Sequence, residues 1–144
     1  MPRERSSRAD YAQFKQMTTR WRDNDMYGHM NNVVFYEYVD MAVNAWLIEN
    51  ADLDIPNGKI VGLVVETSCT FHGPLGFPEP LDVGLRVSKI GNSSVTFEIG
   101  MFGANDAEDA AEARFTHVYV NAKTRRPVPV PEGLRAALEQ LVIS

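Results

Sequence analysis

Over residues 31–50, NNVVFYEYVDMAVNAWLIEN, apolar side chains recur at the spacing of one helical face: Phe35, Val39, Ala42 and Trp46. The polar positions Glu37, Asp40 and Asn44 fall on one narrow stripe and leave most of the circumference apolar. The pattern therefore predicts a central helix covered by protein, with Asn31 or Asn32 as its N-cap. Downstream the period changes to two. Residues 60–71, IVGLVVETSCTF, are strand-like, and residues 81–90 place Leu81, Val83, Leu85 and Val87 on one face. Residues 93–102 repeat this with Val95, Phe97, Ile99 and Met101, and Gly91-Asn92 between the two runs is a hairpin signal. A polar loop at 104–109 leads to a last strand over 112–120, and the proline-rich 125–133 turns into a short helix at 134–142. Upstream, residues 11–22 read as a first strand with imperfect alternation, and residues 23–30 as a loop pivoting on Gly28. Residues 1–9 are expected to be a charged, mobile tail ahead of a single domain at 10–144.

The order β-α-β-β-β-β with short connections predicts an α+β fold: a curved, antiparallel five-stranded sheet wrapped around one long helix. Composition narrows the rest. At 144 residues and 44% apolar content the chain forms one ordinary globular domain. No stretch reaches the roughly 20 apolar residues of a membrane span, and the N-terminal MPRERSSRADYAQFKQ has no apolar secretory core. Cys69 is the only cysteine, so no disulfide forms within the chain and a reducing, cytoplasmic setting is the simplest expectation. A net charge of −5 argues against general nucleic-acid binding. Three basic clusters, Arg20 with Arg22, Arg86 with Lys89, and Lys123 with Arg125 and Arg126, are the places to look for ligand phosphates. His72 and His117 lie far from His29 in sequence, with no His-x-His or cysteine pair, so no metal site is expected.

The run RWRDNDMYGHMNN, residues 20–32, gathers two aspartates, a glycine, a histidine and three asparagines just ahead of the apolar helix. A turn and a helix cap need only part of that. RWRDNDMYGHMNNVVFYEYVD resembles the N-terminal signature of hotdog-fold acyl-CoA thioesterases of the 4-hydroxybenzoyl-CoA thioesterase type, and FHGPLGFPEPLDVGLRVSKIGNSSVTFEI resembles the later strands of that family. The resemblance covers roughly residues 14 to 135. It implies a hotdog fold, hydrolysis of an acyl-CoA thioester with no cofactor beyond the coenzyme A of the substrate, and a homodimer or homotetramer with sites across the subunit interface. Asp25 matches the catalytic carboxylate. Gly28 and the amides of Asn31 and Asn32 match the helix start where the thioester carbonyl docks, and His29 matches the Gly-His position of bacterial members. The turn KIGNSS is implied to lie near bound coenzyme A, with Lys89, Ser93 and Ser94 as phosphate contacts, joined as candidates by Arg125 and Arg126.

The chemistry suits these residue types. A thioester needs an oxygen nucleophile and stabilisation of the charge that develops on its carbonyl oxygen. Its thiolate, with a pKa near about 8.5, departs with little help. Asp25 can attack directly or can deprotonate water, and both routes stay open. The first N–H groups of the helix supply an oxyanion site. Asp23 is expected to orient Arg20 or Arg22, while His29 either polarises the carbonyl or holds the loop. Glu37 and Glu66 are rival carboxylates, with Glu66 facing either the acyl pocket or a partner subunit. Two other readings compete: an acyl-thioester hydratase or dehydratase, and a protein that binds acyl thioesters without turnover, for instance as an acyl carrier protein partner.

Overall fold

The computed structural model describes residues 5–51 and 58–143. Five strands, β1 (Gln13–Met17), β2 (Ile60–Phe71), β3 (Leu81–Ile90), β4 (Ser94–Gly103) and β5 (Ala111–Asn121), form one sheet in the order β1-β3-β4-β5-β2, with every pair antiparallel. Helix α1 (Asn32–Asn50) joins β1 to β2. Those strands are the two edges of the sheet, so the helix must cross its whole width. The inward positions of β3, β4 and β5 are aligned by register, for example Leu85 with Ile99 and Ile99 with Ala113. Val39, Ala42, Val43 and Leu47 of α1 are wholly buried against them, each larger side chain contributing about 1.5–3 kcal/mol. The other side of the helix is bare, with Val33, Met41 and Ile48 exposed. The sheet thus encloses only part of the circumference predicted to be covered. Helix α2 (Glu132–Glu139) packs Leu134 and Leu138 onto the same core.

Two boundaries differ from expectation. The first strand stops at Met17 because Asp23 Oδ2 accepts the Arg20 backbone N–H at 2.8 Å, folding Trp21–Asp23 into a short 3₁₀ turn. The second helix begins two residues earlier than its apolar spacing implied, directly after Pro131, and its ladder tightens at Gln140. Most of the loop read between α1 and β2, residues 52–57, lies outside the described residues.

Residues 5–9, expected as part of a mobile tail, instead lie along the convex face of the sheet. Ser6 is buried and donates to Asp109 Oδ2 at 2.6 Å. Arg8 Nη1 bonds Asp82 at 2.8 Å, its Nη2 donates to the Gly103 carbonyl, and its guanidinium lies 5.0 Å from the Phe102 ring centroid. This strap ends in Tyr11, whose ring covers Gly84 and Gly100; a Cβ on Gly100 would stand 2.5 Å from Tyr11 Cε2. Gly100→Val should therefore lower stability by roughly 1–3 kcal/mol through overpacking. Urea unfolding would show this as a lower midpoint with an unchanged slope.

β2 is unlike the other long strands. Its outer edge is free among the described residues, and Leu63, Val64, Val65 and Phe71 are all exposed, with a register shift between Val64 and Glu66. A long apolar edge of this kind invites pairing with another strand.

Candidate active site

An isolated antiparallel bridge between Asn24 and Met30 ties off the loop at residues 25–29. Within it the Asp25 N–H donates to the His29 carbonyl at 2.9 Å and the Gly28 N–H to the Asp25 carbonyl at 3.0 Å. Gly28 closes this turn at φ +79°, a left-handed conformation that a side chain would strain. Asp25 Oδ1 accepts the Tyr27 N–H at 2.8 Å, which fixes the rotation of the carboxylate. The group is only partly buried, and its Oδ2 has no hydrogen bond among the described residues. One oxygen is therefore held while the other stays available.

The helix start lies on the same loop. Asn31 is the N-cap, its Oδ1 accepting the Val33 N–H at 2.9 Å. Its own N–H donates to the Asp23 carbonyl at 2.9 Å. Of the two asparagine amides expected to face a carbonyl, that of Asn31 is thus occupied. The Asn32 N–H makes no hydrogen bond among the described residues and sits at the positive end of α1. The His29 side chain is exposed and holds nothing in the loop; only its backbone carbonyl does so.

Beneath this loop Asp23 is completely buried. Its Oδ1 accepts the Arg20 Nε–H at 2.9 Å and its Oδ2 accepts the Tyr38 hydroxyl in a short bond. Burial alone would raise its pKa; the Tyr38 hydroxyl and the Arg20 backbone and guanidinium more than reverse this, holding it below 3.8. Burial and the same carboxylate push the Tyr38 phenol up to about 12. Asp23 is therefore the anchor of the loop, the role expected of it. Arg20 Nη2 also reaches Glu37 at 2.8 Å, so this rival carboxylate already has a cationic partner.

Residues 74–79 form the facing wall. The Asn24 side chain accepts the Phe77 N–H at 3.0 Å and donates to the Phe77 carbonyl at 3.3 Å, and the Met30 N–H donates to the Leu75 carbonyl at 2.7 Å. A cleft of about 230 Å³ runs along Gly28, His29, Leu75, Phe77 and Glu79. Trp21, Met26, Tyr27 and Val33 are more than half exposed nearby in the chain, an apolar patch of the kind that marks a ligand or subunit contact.

The remaining candidates lie elsewhere. β1 meets β3 with Met17 opposite Leu81, so the Asp25 loop follows from the Leu81 end of the sheet. Lys89, Ser93 and Ser94 stand at the other end, around the β3–β4 hairpin, as do the exposed Arg125 and Arg126 beyond β5. Eight residues of strand separate Leu81 from Lys89, or about 25 Å. Within one chain these groups do not converge on Asp25. Glu66 is exposed on β2 beside the register shift. His117 is a core residue, pushed down to about 4 by burial.

The sequence profile of the thioesterase-like superfamily matches residues 19–138. The crystal structure of the PA5185 protein from Pseudomonas aeruginosa is 46% identical, with a TM-score of 0.95 over 98% of this chain and 99% of that one. That of Slr0204, a 1,4-dihydroxy-2-naphthoyl-CoA thioesterase from Synechocystis, is 21% identical, with a TM-score of 0.79 over 87% and 93% of the two chains. The uncharacterized protein YsmA of Bacillus subtilis is 25% identical over 62% of this chain, and the match spans only 60% of that relative. The strand order, the long helix lying on the sheet and the short last helix are those of the hotdog fold.

Proposed function

Because the chain belongs to the thioesterase-like superfamily, we propose that it hydrolyses an acyl-CoA thioester, with Asp25 as nucleophile or general base. The observation that carries this is the asymmetry of the Asp25 carboxylate: Oδ1 is pinned by Tyr27 while Oδ2 is open, on the loop that ends in the unpartnered Asn32 amide. That pair matches the two requirements of the reaction, an oriented oxygen and a donor for the developing oxyanion. The thiolate departs with little help, so the reaction does not require a buried general acid beside Asp25. Release of free thiol from a panel of aromatic, short-chain and long-chain acyl-CoA esters tests the reading. Binding of these esters without turnover would replace it with a non-catalytic role as a carrier-protein partner or regulator, and water addition to an enoyl-CoA with a hydratase.

The complete site needs a second copy. If the free edge of β2 pairs antiparallel with β2 of another chain, the two sheets run in opposite directions. The partner's Ile60 end then lies beside this chain's Phe71 end, which is the end bearing Asp25. The turn carrying Arg125 and Arg126 follows β5, the neighbour of β2, so these two residues of the second copy approach more closely than Lys89, Ser93 or Ser94. The same pairing would cover Val64, Val65 and Phe71 and place Glu66 at the contact. Charge reversal at Arg125 and Arg126 should raise KM for acyl-CoA more than it lowers kcat, because remote phosphate contacts bind ground and transition states alike. An unchanged KM at low salt would remove them from the site. A monomer by light scattering at micromolar concentration would remove the shared site altogether.

A further inference from the structure

We propose that His72, Asp109 and Glu112 bind one divalent transition-metal ion of the zinc class. His72 directly follows β2, Asp109 ends the loop before β5, and Glu112 is on β5 opposite Thr70. Strand pairing brings together residues that are distant in sequence, and one donor atom from each lies within 4.8 Å of the others. His72 Nε2 and Glu112 Oε2 are 3.1 Å apart. Zinc–ligand bonds of about 2.0–2.2 Å set neighbouring donors roughly 3.0–3.5 Å apart, so this edge of a coordination polyhedron already has the right length.

The independent sign of a ligand is Asp109. Its side chain is completely buried, and while Oδ2 takes the Ser6 hydroxyl at 2.6 Å, Oδ1 has no hydrogen-bond partner among the described residues. The adjacent cation, Arg5, keeps its Nε 3.8 Å from Oδ1 and donates instead to the Asp109 backbone carbonyl at 2.7 Å. A buried carboxylate oxygen left in this state is unfavourable, and a bound cation would satisfy it. The scaffold is rigid where it matters. The His72 N–H donates to the Ala110 carbonyl at 2.8 Å and the Asp109 N–H to the Ser6 carbonyl at 3.1 Å, so the three side chains need only small rotations to close on an ion. One imidazole with two carboxylates suits zinc or a neighbouring transition metal better than magnesium, which prefers oxygen ligands alone; water completes the coordination. The ion would fasten the end of β2, the loop before β5 and the N-terminal strap to one another, without a part in thioester chemistry.

The full-length protein, stripped with a chelator, should take up one equivalent of Zn²⁺ by titration calorimetry. Its Tm should rise by about 5 °C or more at a hundredfold excess over Kd. His72→Gln and Glu112→Gln, both at partly exposed positions, should each weaken uptake at least tenfold and abolish the Tm rise. Three results would overturn the proposal: no uptake at about 100 µM Zn²⁺, uptake unchanged in both variants, or Mg²⁺ bound as tightly as Zn²⁺.

Discussion

Asp25→Asn should lower kcat for acyl-CoA hydrolysis by at least about 10² while leaving Tm within a degree or two. Asparagine preserves the shape and, through its Oδ1, the bond from the Tyr27 N–H that holds the turn. What it removes is the negative charge and the lone pair on the open oxygen, the group that would attack carbon or take a proton from water. Substrate binding should persist, because the Asn32 amide and the cleft along His29 and Phe77 are untouched. Hydrolysis at near-normal rates in Asp25→Asn, together with its loss in Glu66→Gln, would transfer the role to β2 and refute the assignment. Retention of activity in both variants and in Glu37→Gln would refute carboxylate catalysis as a whole.

Asp23→Asn should have the opposite profile: a loss of stability of roughly 2–3 kcal/mol, the usual worth of hydrogen bonds to a buried charge, with any loss of turnover following from a loosened loop. Thermal unfolding should show this as a fall in Tm of about 5–10 °C. The pH dependence separates this from a neutral packing defect. The carboxyl of Asp23 is held below its ordinary 3.8 in the folded chain, so the folded state binds its proton less readily than the unfolded state. Its contribution is then complete above that ordinary value and disappears as pH falls through the lower folded-state value. The stability gap between wild type and Asp23→Asn should be flat from neutrality down to about pH 5 and should narrow only below about pH 4. A gap that narrows instead as pH rises would contradict the account of Asp23 as an ionised anchor.

The two aspartates also show how far the sequence could be read. They stand two positions apart, and residue type alone cannot tell them apart. The family signature points to Asp25 as the open carboxylate, while Asp23 is expected to orient Arg20 or Arg22, and the burial of Asp23 and its bond from Arg20 agree with that expectation. Local signals were legible: the Asn31 cap, the Gly28 pivot, the Gly91-Asn92 hairpin and the period-two strands each depend on residues a few positions apart. The early end of β1 was not, since it depends on one side-chain bond from Asp23 to the Arg20 amide. Groups assembled by the sheet were beyond reach for the same reason on a larger scale. His72 meets Asp109 and Glu112 only through the pairing of β2 with β5, which no spacing rule anticipates. Within one chain the candidate phosphate contacts do not meet Asp25, because β3 runs the full height of the sheet between them.

The N-terminal strap has a consequence for how the chain reaches this state. Its platform consists of Gly84 on β3, Gly100 on β4 and Asp109 before β5. Its contacts with this platform cannot form until those strands have paired, and Ser6 must then find a residue 103 positions away. Closing so long a loop carries an entropic cost that is repaid only once the docking surface exists. The strap must therefore wait for nearly the whole sheet to pair before it docks. A segment that looks peripheral in sequence is thus among the last parts of the domain to settle.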